Sequence, residues 1–366
     1  MNAPRHWILI GNPENRRVTG FVDAVAREDA GTVTVVPWTE VVARPDFWTE
    51  LDPSPAFVRI ESLGENPEVQ NAMLRLGGMP ARRPLPFGAF VPPAPSHQGF
   101  LALLDRVAAG LRERPQWTPL ATPEAIRLVF DKSTFHRHCR DLGVAVAETI
   151  EASSRSELEA VMQAEGWGAA FVKIRTGSSA VGVGIYALRP RPTFTTTVHM
   201  SAAGWFNSLR LRRYTQEADL DRIVHGLMSH GVHIERAIEK ARLHGANFDC
   251  RVLMIHGEPK FVVVRQNRHP ITNLHLGGWR GDLQALREQC PPLVWDHAMD
   301  DARRIAKAYG GLHLGLDILF TSGFQRHVVI EANAFGDLLP RLTHEGRDVY
   351  ATEVAAAPAW WSQQLA

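Results

Sequence analysis

The sequence lacks the features that mark several large classes of protein. Its three cysteines are odd in number and far apart, and no CxxC pair occurs, so we expect neither a disulfide framework nor a cysteine-based zinc or redox site. No apolar run is long enough to cross a bilayer, and the first one, Trp7 to Ile10, ends at Gly11-Asn12-Pro13. From these absences we expect a cytoplasmic protein without a membrane partner.

An excess of charge of one sign is also missing. Forty Lys and Arg residues face 39 Asp and Glu residues, which leaves a net charge of +1. A nucleic-acid partner would require a strong basic excess or a basic stripe, so we expect none. Any phosphate must then be bound by a few placed cations. The length of 366 residues, with 45% hydrophobic and 22% charged residues, is typical of a globular enzyme with two or three subdomains.

The first third of the chain alternates between short apolar runs and segments with helical spacing. Such alternation predicts βαβ units and therefore a small parallel sheet. Arg59, in the last of these runs, pairs either with a substrate carboxylate or with Glu61. The predicted strands are Trp7 to Ile10, Thr32 to Val36 and Phe57 to Glu61, and the predicted helices are Val18 to Ala26 and Pro67 to Leu76.

Six prolines lie between Met79 and Ser96 and predict a long loop without helix, because proline disrupts a helix interior. This loop is either functional or a plain linker. Beyond it, one helix is predicted over Thr122 to Leu142, whereas Arg189 to Arg213 has mixed signals and receives no assignment. Strands dominate from Val232 onward, with one further helix over Asp296 to Tyr309.

Two apolar strands near the end of the chain carry acids. Asp317 lies on the first strand, and Glu331 and Asn333 lie on the second, on one face because strand residues two apart point the same way. If the strands form a hairpin, Asp317 lies beside that pair. Carboxylate and amide oxygens are the ligands that Mg²⁺ prefers, so these three residues predict a magnesium site. A solvated polar face is the alternative, although unpaired carboxylates in a buried strand are costly.

A lysine at the end of an apolar strand precedes a turn that is rich in glycine and serine. Lys173 can direct its ammonium at a phosphate, and the turn from Arg175 to Gly184 can offer backbone N–H groups. The turn is not a Walker A loop, because no GK[ST] follows, and not a Rossmann GxGxxG motif, because it joins two strands. Lys132, at the head of a helical stretch, is either a second phosphate ligand or a solvated charge.

Arginines occur on two apolar strands further along the chain. Arg251 follows Asp249 by two residues, and Arg265 precedes a polar loop that contains Asn273 and His275. An arginine so placed can neutralise a phosphoryl group or an acyl phosphate in the transition state. A structural ion pair with Asp or Glu explains either arginine equally well.

The order of these features resembles the ATP-grasp superfamily. A lysine on a helix, a lysine before a glycine-rich turn, a Glu-containing segment, an Asp-x-Arg strand, an arginine strand with a polar loop, and finally Asp and Glu-x-Asn follow one another from Thr122 to Asp337. The likeness is greatest to carboxylate–amine ligases such as glutathione synthetase and the glutamate ligase that modifies a ribosomal protein. The most specific matches are Ile271 to Gly278 and Ile330 to Asn333.

The resemblance implies an α/β (α+β) ATP-grasp fold with three parts. An N-terminal Rossmann-like parallel-sheet subdomain would occupy residues 1–115, a small central lid subdomain 116–190, and a C-terminal mixed-sheet subdomain 191–366. The segment Ala334 to Pro340 departs from the Asn-x-x-Pro or Ser-Pro-Gly ending of many relatives, which leaves the acceptor side of the site open.

The resemblance also assigns roles to individual residues. The nucleotide-binding residues it implies are Lys132, Lys173 and Arg251, the lid residues Gly177, Ser178, Ser179 and Gly182, and the adenine hinge residues Glu235, Ala237 and Ile238. The residues around the transferred phosphate would be Arg265, Asn273 and His275, and the metal ligands Asp317, Glu331 and Asn333.

The activity implied by the resemblance is that of an ATP-dependent ligase, which joins a carboxylate to an amine through an acyl phosphate and releases ADP and phosphate. ATP and Mg²⁺ would be required, with Mn²⁺ as an alternative ion. The substrates would be a small-molecule or peptide carboxylate and an amine acceptor, and a homodimer is compatible with this expectation. The alternative is an ATP-grasp protein that binds nucleotide as a regulatory module without catalysis.

Two unrelated functions are disfavoured by the residues themselves. A Rossmann dehydrogenase needs a glycine spacing that the segment Gly11 to Asn15 lacks. A metal hydrolase could use His136, His138 and Cys139, but residues one and two apart on a helix face different ways, so surface histidines are the better explanation.

Overall fold

The computed structural model describes residues 3–64, 66–80, 85–86, 88–177, 181–202, 204–336 and 339–364. Within these residues the chain forms sixteen β-strands in three sheets, eleven α-helices and three short 3-10 helices. This mixed architecture confirms the predicted α/β fold class. No helix in the described part of the chain combines the length and the apolar character that crossing a bilayer requires.

The first sheet is parallel, as the sequence predicts. The strand from His6 to Ile10 is one of its two inner strands and is buried on both faces, because Ile8 and Ile10 pack in one core while Trp7 and Leu9 pack in another. The strands are β1 (His6–Ile10), β2 (Thr32–Val36), β3 (Ala56–Ile60) and β4 (Trp117–Pro119), and their order in the sheet is β2-β1-β3-β4. The helices of this region are α1 (Arg16–Arg27), α2 (Trp38–Ala43), α3 (Pro67–Leu76) and α4 (Pro93–Glu113).

Helix α4 begins inside the proline-rich segment, so the prediction of a loop as far as Ser96 was wrong from Pro93 onward. Pro93 and Pro95 lie in the first turn, where backbone N–H groups have no partner within the helix and proline therefore costs little. The N–H of Ser96 makes a helical hydrogen bond to the carbonyl of Pro92 at 3.2 Å. Residues 81–84 and 87 of the segment lie outside the described residues.

Two helices, not one, occupy the stretch from Thr122 to Leu142. Helix α5 (Pro123–Phe130) and helix α6 (Lys132–Asp141) meet at Asp131, whose side chain accepts a hydrogen bond from the N–H of Thr134 at 2.8 Å. Such a side chain satisfies an N–H group at the start of a helix and so favours a new start there. The predicted single helix was therefore wrong at Asp131, and the break places Lys132 in the first turn of α6.

The second sheet is antiparallel and lies in the middle of the chain. Two neighbouring strands at one edge of this sheet fill most of the stretch that the sequence left unassigned, and their pairing register shifts after Thr196, which removes the regular alternation of a strand pair. The strands are β5 (Thr149–Ile150), β6 (Ala169–Ile174), β7 (Val183–Ala187), β8 (Thr193–Ser201), β9 (Gly204–Tyr214) and β10 (Val232–Arg236), in the order β5-β10-β6-β7-β8-β9. Helices α7 (Arg155–Ala164) and α8 (Glu217–Met228) share an apolar core with this sheet.

The third sheet is also antiparallel and contains the predicted C-terminal hairpin. Its strands are β11 (Arg242–Leu243), β12 (Ala246–Ile255), β13 (Glu258–Asn267), β14 (Trp279–Arg280), β15 (His313–Phe320) and β16 (His327–Asn333). Their order is β14-β13-β12-β15-β16, and β11 pairs with β12. The remaining helices are α9 (Leu283–Gln289), α10 (Pro292–Tyr309) and α11 (Val349–Gln364), and the 3-10 helices are Phe47–Glu50, Leu274–Leu276 and Ser322–Phe324.

The two faces of strand β12 differ, because one face is apolar throughout and the other is apolar only at its C-terminal end. Its residues Cys250, Val252 and Met254 point into the core that contains residues of α10. On the opposite face, the C-terminal residues of β12 join the core that includes α11 and α1. Asp249 and Arg251 lie on that same opposite face, because strand residues two apart point the same way. The polar part of this face is where the candidate site lies.

Arg59 is used inside the protein. Its side chain is 1% exposed and forms ion pairs with Glu61, at 2.7 Å from Nη2 to Oε1, and with Glu353 of α11. Of the two interpretations of Arg59, the internal pair is the one that the structure contains. The second pair fastens the first sheet to the C-terminal helix.

The division into residues 1–115, 116–190 and 191–366 stays a prediction. The strands of the second sheet extend from Thr149 to Arg236, which crosses the boundary placed at residue 190. Helices α5 and α6, which precede that sheet in the chain, pack against β16 of the third sheet.

Candidate functional site

A row of charged side chains crosses one face of the third sheet. Across β13, β12, β15 and β16 the register places Arg265 opposite Asp249, Arg251 opposite Asp317, and Asp317 opposite Glu331. These residues come from four separate segments of the sequence. Strand register therefore assembles the row.

Each carboxylate oxygen of Asp317 contacts an arginine. Nη2 of Arg265 lies 2.9 Å from Oδ2, and Nε of Arg251 contacts Oδ1. Burial alone would raise the pKa of Asp317, but the two guanidinium groups outweigh burial and hold the pKa well below its ordinary value. The structural ion pairs considered in the sequence analysis therefore exist, and they place both arginines at the predicted metal-ligand position.

Asp249 is a second junction of this network, and sequence analysis did not assign it a role. It accepts hydrogen bonds from Nε of Arg265 at 2.7 Å and from the hydroxyl of Thr272, and Nζ of Lys240 lies 3.3 Å from it. Burial acts to raise the pKa of Asp249, but Arg265 and Lys240 overcome it and lower the pKa. Lys240 was missed because it belongs to no recognisable sequence motif, whereas Thr272 lies in the Ile271 to Gly278 match but received no role of its own.

The loop after β13 carries two of the predicted phosphate-contacting residues. Asn273 accepts a hydrogen bond from the N–H of His275 at 2.8 Å and so caps the 3-10 helix that follows, while the side chain of His275 is exposed. Thr272 attaches the start of this loop to Asp249, beside Arg265. The loop therefore lies at the edge of the charged row, and the roles of Asn273 and His275 stay predictions.

Glu331, at the end of the row, and Asn333, two residues further along the same strand, have polar groups with few or no close partners among the described residues. The side chain of Glu331 is 31% exposed, and its nearest cation is Nζ of Lys132 at 3.9 Å. The side-chain nitrogen of Asn333 is buried, and no described residue accepts a hydrogen bond from it. A buried amide without a partner costs free energy, so this end of the strand is suited to a group supplied from outside.

The glycine-rich turn is attached to the first residue of α6. Nζ of Lys132 donates a hydrogen bond to the carbonyl of Gly177 at 2.7 Å. Gly182 has a φ of +62°, and a Cβ at that position would collide with Ile174, so both backbone and space require glycine. Burial lowers the pKa of Lys132, with Glu331 acting against it. The two predicted lid serines, Ser178 and Ser179, lie outside the described residues.

Lys173 and Glu235 form an ion pair between the neighbouring strands β6 and β10. Burial acts to raise the pKa of Glu235, but the Lys173 ammonium and nearby histidines overcome it and hold the pKa far below its ordinary value. Ala237 and Ile238 follow β10 and are half-buried, and the N–H of Ala237 donates to a carbonyl of β6 at 3.1 Å. Their assignment to an adenine hinge, and that of Glu235, stays a prediction.

Two histidines beside this pair are buried, so the prediction of surface histidines was wrong for His136. His136 and His233 are 0% and 3% exposed, and their ring centroids are 4.4 Å apart. Nε2 of His136 lies 2.7 Å from the carbonyl oxygen of Ile330, and Nδ1 of His233 lies 3.1 Å from Oγ of Ser133. His233 carried no sequence signal, because its partner is on a different element.

The structure brings most of the predicted residues into one polar region. Glu331 joins its two halves, because it lies 3.9 Å from Lys132 and opposite Asp317 in the sheet register. A small surplus of positive charge in a mostly buried region favours an anion such as a polyphosphate. The five cations are Lys132, Lys173, Lys240, Arg251 and Arg265, and the four carboxylates are Glu235, Asp249, Asp317 and Glu331.

Acidification from pH 6.5 towards pH 4 is expected to destabilise the protein through its buried histidines. Burial lowers the pKa of His136 to about 4 and that of His313 to about 3. In this range the unfolded chain binds protons that the folded chain does not, so the free energy of unfolding falls as pH falls. Each histidine contributes a slope of about 1.4 kcal/mol per pH unit. In thermal unfolding, His313→Gln should show a shallower pH slope than wild type, and equal slopes would contradict the prediction.

No protein-family model matches this chain, and no curated protein matches it. Solved structures do resemble it. D-cycloserine synthetase DcsG superposes with a TM-score of 0.58 at 13% identity, over 96% of this chain and 99% of that chain. The ATP-grasp ligase PsnB, complexed with minimal precursor, Mg and ADP, gives 0.57 at 15% identity, over 99% and 100%. D-alanyl-alanine synthetase A from Vibrio cholerae gives 0.52 at 13% identity, over 98% and 99%. The chain therefore has the ATP-grasp fold over nearly its whole length.

Proposed function

We propose that this chain, which has the ATP-grasp fold, is an ATP-dependent ligase that joins a carboxylate to an amine through an acyl phosphate. The observation that carries the proposal is the single polar region in which Glu331 connects the lysines Lys132 and Lys173 on one side with Asp317 and its two arginines on the other. Phosphoryl transfer needs mainly positioning and charge neutralisation, and this region offers both. The neighbouring fold of PsnB, which is described as complexed with Mg and ADP, supports the same function.

Nucleotide phosphates would be held by the two lysines. Each lysine has a carboxylate as its charge partner when no anion is bound: Glu331 for Lys132 and Glu235 for Lys173. The turn that contains Gly177, Ser178, Ser179 and Gly182 would close over the phosphates and limit the access of water. The main-chain groups of Glu235, Ala237 and Ile238 would lie at the adenine, and Arg251 would contribute to nucleotide binding.

Mg²⁺ would be held by Asp317, Glu331 and Asn333. These residues form an oxygen donor set that suits Mg²⁺, and the carboxylate of Glu331 is 31% exposed and therefore accessible to an ion. The unpartnered side-chain N–H group of Asn333 is a hydrogen-bond donor and would contact a phosphate oxygen. Mn²⁺ would be accepted by the same donors. When bound, the ion would neutralise phosphate oxygens. Asp317 already meets two arginines, so it would share its charge between them and the ion.

The reaction would proceed in two steps. An oxygen of the substrate carboxylate attacks the γ-phosphorus, and the bond from that phosphorus to the bridging oxygen of ADP breaks. The amine then attacks the acyl carbon, phosphate leaves with the bonding electrons, and the amine loses a proton to solvent. Arg265 would neutralise the transferred phosphoryl group, and Asn273 and His275, on the adjoining loop, would contact it. Because the cations are already oriented by ion pairs, little reorganisation is required.

The substrates belong to one of two classes. DcsG and D-alanyl-alanine synthetase A are named for small-molecule products, whereas PsnB and the macrocyclase MdnC from Microcystis aeruginosa are described in complex with precursor peptides. Either a small-molecule or a peptide carboxylate is thus compatible with this fold. The second candidate function is a nucleotide-binding module without catalysis. It is favoured by the two arginines that occupy both oxygens of Asp317.

Thermal unfolding with and without Mg-ATP tests the nucleotide site. Ligand at about a hundred times its dissociation constant adds roughly 2.7 kcal/mol to the folded state, which should raise the midpoint by on the order of 5–10 °C. The shift should require Mg²⁺ and should be lost in the double variant Asp317→Asn/Glu331→Gln. No shift at millimolar Mg-ATP would reject the proposed function.

Trapping of the intermediate separates the ligase from the binding module. Candidate carboxylates, both small molecules and peptides, are incubated with Mg-ATP and hydroxylamine, which replaces the amine and converts an acyl phosphate into a hydroxamate. Formation of hydroxamate together with ADP would support the ligase. Binding of Mg-ATP without ADP release across the whole substrate panel would favour the module.

A further inference from the structure

Two buried histidines and one glutamate converge beside the proposed nucleotide site, and the proposed reaction makes no use of the histidines. His136 lies on α6, one turn after Lys132, and His233 and Glu235 lie on one face of β10. One candidate ligand atom from each of the three side chains lies within 4.8 Å of the other two. All three side chains are almost completely buried, at 0%, 3% and 4% exposure. Surface charge therefore does not explain the cluster.

Each of the three side chains has one polar atom with a partner and one without. Nε2 of His136 contacts the carbonyl of Ile330, Nδ1 of His233 contacts Oγ of Ser133, and Oε1 of Glu235 contacts Lys173. The second ring nitrogen of each histidine and Oε2 of Glu235 are buried, and no described residue forms a hydrogen bond of good geometry with them. Such groups are costly unless something outside the protein binds them.

The contacts already made are those that support metal-binding histidines. A histidine that ligates a metal usually donates its other ring N–H to a carbonyl, a carboxylate or another acceptor, which fixes its tautomer. The hydroxyl of Ser133 is placed to accept such a bond from His233. Nε2 of His136, which contacts the carbonyl of Ile330, is also the ring nitrogen that lies 3.8 Å from Oε2 of Glu235. Nε2 of His233 lies 3.2 Å from Oε2 of Glu235. Two ligands of a tetrahedral ion with bonds of about 2.0 Å are separated by about 3.3 Å.

We propose that His136, His233 and Glu235 form a binding site for a divalent transition-metal ion such as Zn²⁺, with its fourth position open. Two imidazoles and one carboxylate favour Zn²⁺ or Co²⁺ over Mg²⁺, which prefers oxygen ligands alone. The site is distinct from the oxygen donor set of Asp317, Glu331 and Asn333. Lys132 and Lys173 would not be ligands of this ion. Oε1 of Glu235 would stay paired with Lys173, and Oε2 would bind the ion.

Cobalt titration of the tag-free, EDTA-treated full chain tests the proposal. Tetrahedral Co²⁺ absorbs visible light strongly, so one equivalent per chain should produce saturable d–d absorption. Zn²⁺ should abolish this absorption, and excess Mg²⁺ should leave it unchanged. His136→Gln and His233→Gln should each weaken Co²⁺ binding by at least about 10–100-fold. His138→Gln, on the same helix as His136, is the matched control and should bind Co²⁺ like wild type.

The wild-type titration alone can overturn the proposal. If wild type shows no saturable absorption at one equivalent, the three side chains form a hydrogen-bonded cluster only, whatever the variants do. Loss of the signal in His138→Gln as well would also contradict the assignment. A variant that retains its cooperative unfolding but loses Co²⁺ binding excludes misfolding as the cause. Failure here, with a normal Mg-ATP shift in wild type, would leave the proposed ligase function intact.

Discussion

Replacing Glu331 with Gln is expected to lower ATP-dependent ADP release by about 100-fold or more, since loss of even an outer-shell partner of a metal ligand typically costs 10–100-fold. The change conserves the shape of the side chain and removes one negative charge from the proposed magnesium site. Glu331 is 31% exposed and lies 3.9 Å from Lys132, so the fold should lose little stability. A coupled assay of ADP release under saturating Mg-ATP, together with the unfolding midpoint, measures both effects.

Glu151→Gln is the matched control for this variant. Glu151 is exposed and lies outside the charged region, so the same chemical change there should leave ADP release and the midpoint unchanged. Turnover by Glu331→Gln at the wild-type rate would remove Glu331 from the metal site. A large drop in the midpoint of Glu331→Gln would instead assign the residue a structural role.

Replacing Arg59 with Ala is expected to destabilise the protein by roughly 3–5 kcal/mol, because it leaves two buried carboxylates without their cation. Arg59 is 1% exposed, pairs with Glu61 and Glu353, and lies 4.5 Å above the ring centroid of Phe21. Burial raises the pKa of Glu353, and Arg59 partly counteracts this rise. Loss of the Arg59 cation would therefore raise the pKa of Glu353 further and favour its neutral form. The midpoint of thermal unfolding should fall by on the order of 10 °C.

Arg27→Ala provides the comparison for Arg59→Ala. Arg27 also joins the first sheet region to the C-terminal part of the chain, through Asp348, but both side chains of this pair are about half exposed. An exposed pair contributes about 1 kcal/mol or less, so the midpoint should fall by only a few degrees. Equal shifts for the two variants would show that the buried pairs of Arg59 contribute no more than a surface pair.

Elements with an uninterrupted periodicity could be predicted from the sequence. Strands β1 and β3 and helix α3 have the predicted bounds to within one residue, because a buried strand and an amphipathic helix each leave a local pattern. Where the pattern is interrupted, prediction failed. The effect of Pro93 depends on its place within a helix turn, and the break at Asp131 depends on a side-chain cap.

Part of the candidate site could also be predicted. The two-residue spacing of Glu331 and Asn333 places them on one face of any strand, and the order of the motifs indicated the ATP-grasp fold. Gly182 was assigned to the lid by the resemblance, and its positive φ gives the physical reason for glycine at that position. The roles of these residues in binding nucleotide and metal stay predictions.

The sequence by itself determined the residue types available for chemistry and the parallel sheet of the first third, which follow from composition and local patterns, and the order of its motifs gave the resemblance that implied the fold class. Only the tertiary structure decided which polar and charged side chains meet. Arg265 pairs with Asp249 and Asp317, Arg59 with Glu353, and His136 with His233, and each partner comes from a different segment. The physical reason is that burial makes an unpaired charge costly, whereas the identity of its partner is set by strand register and by the packing of distant elements.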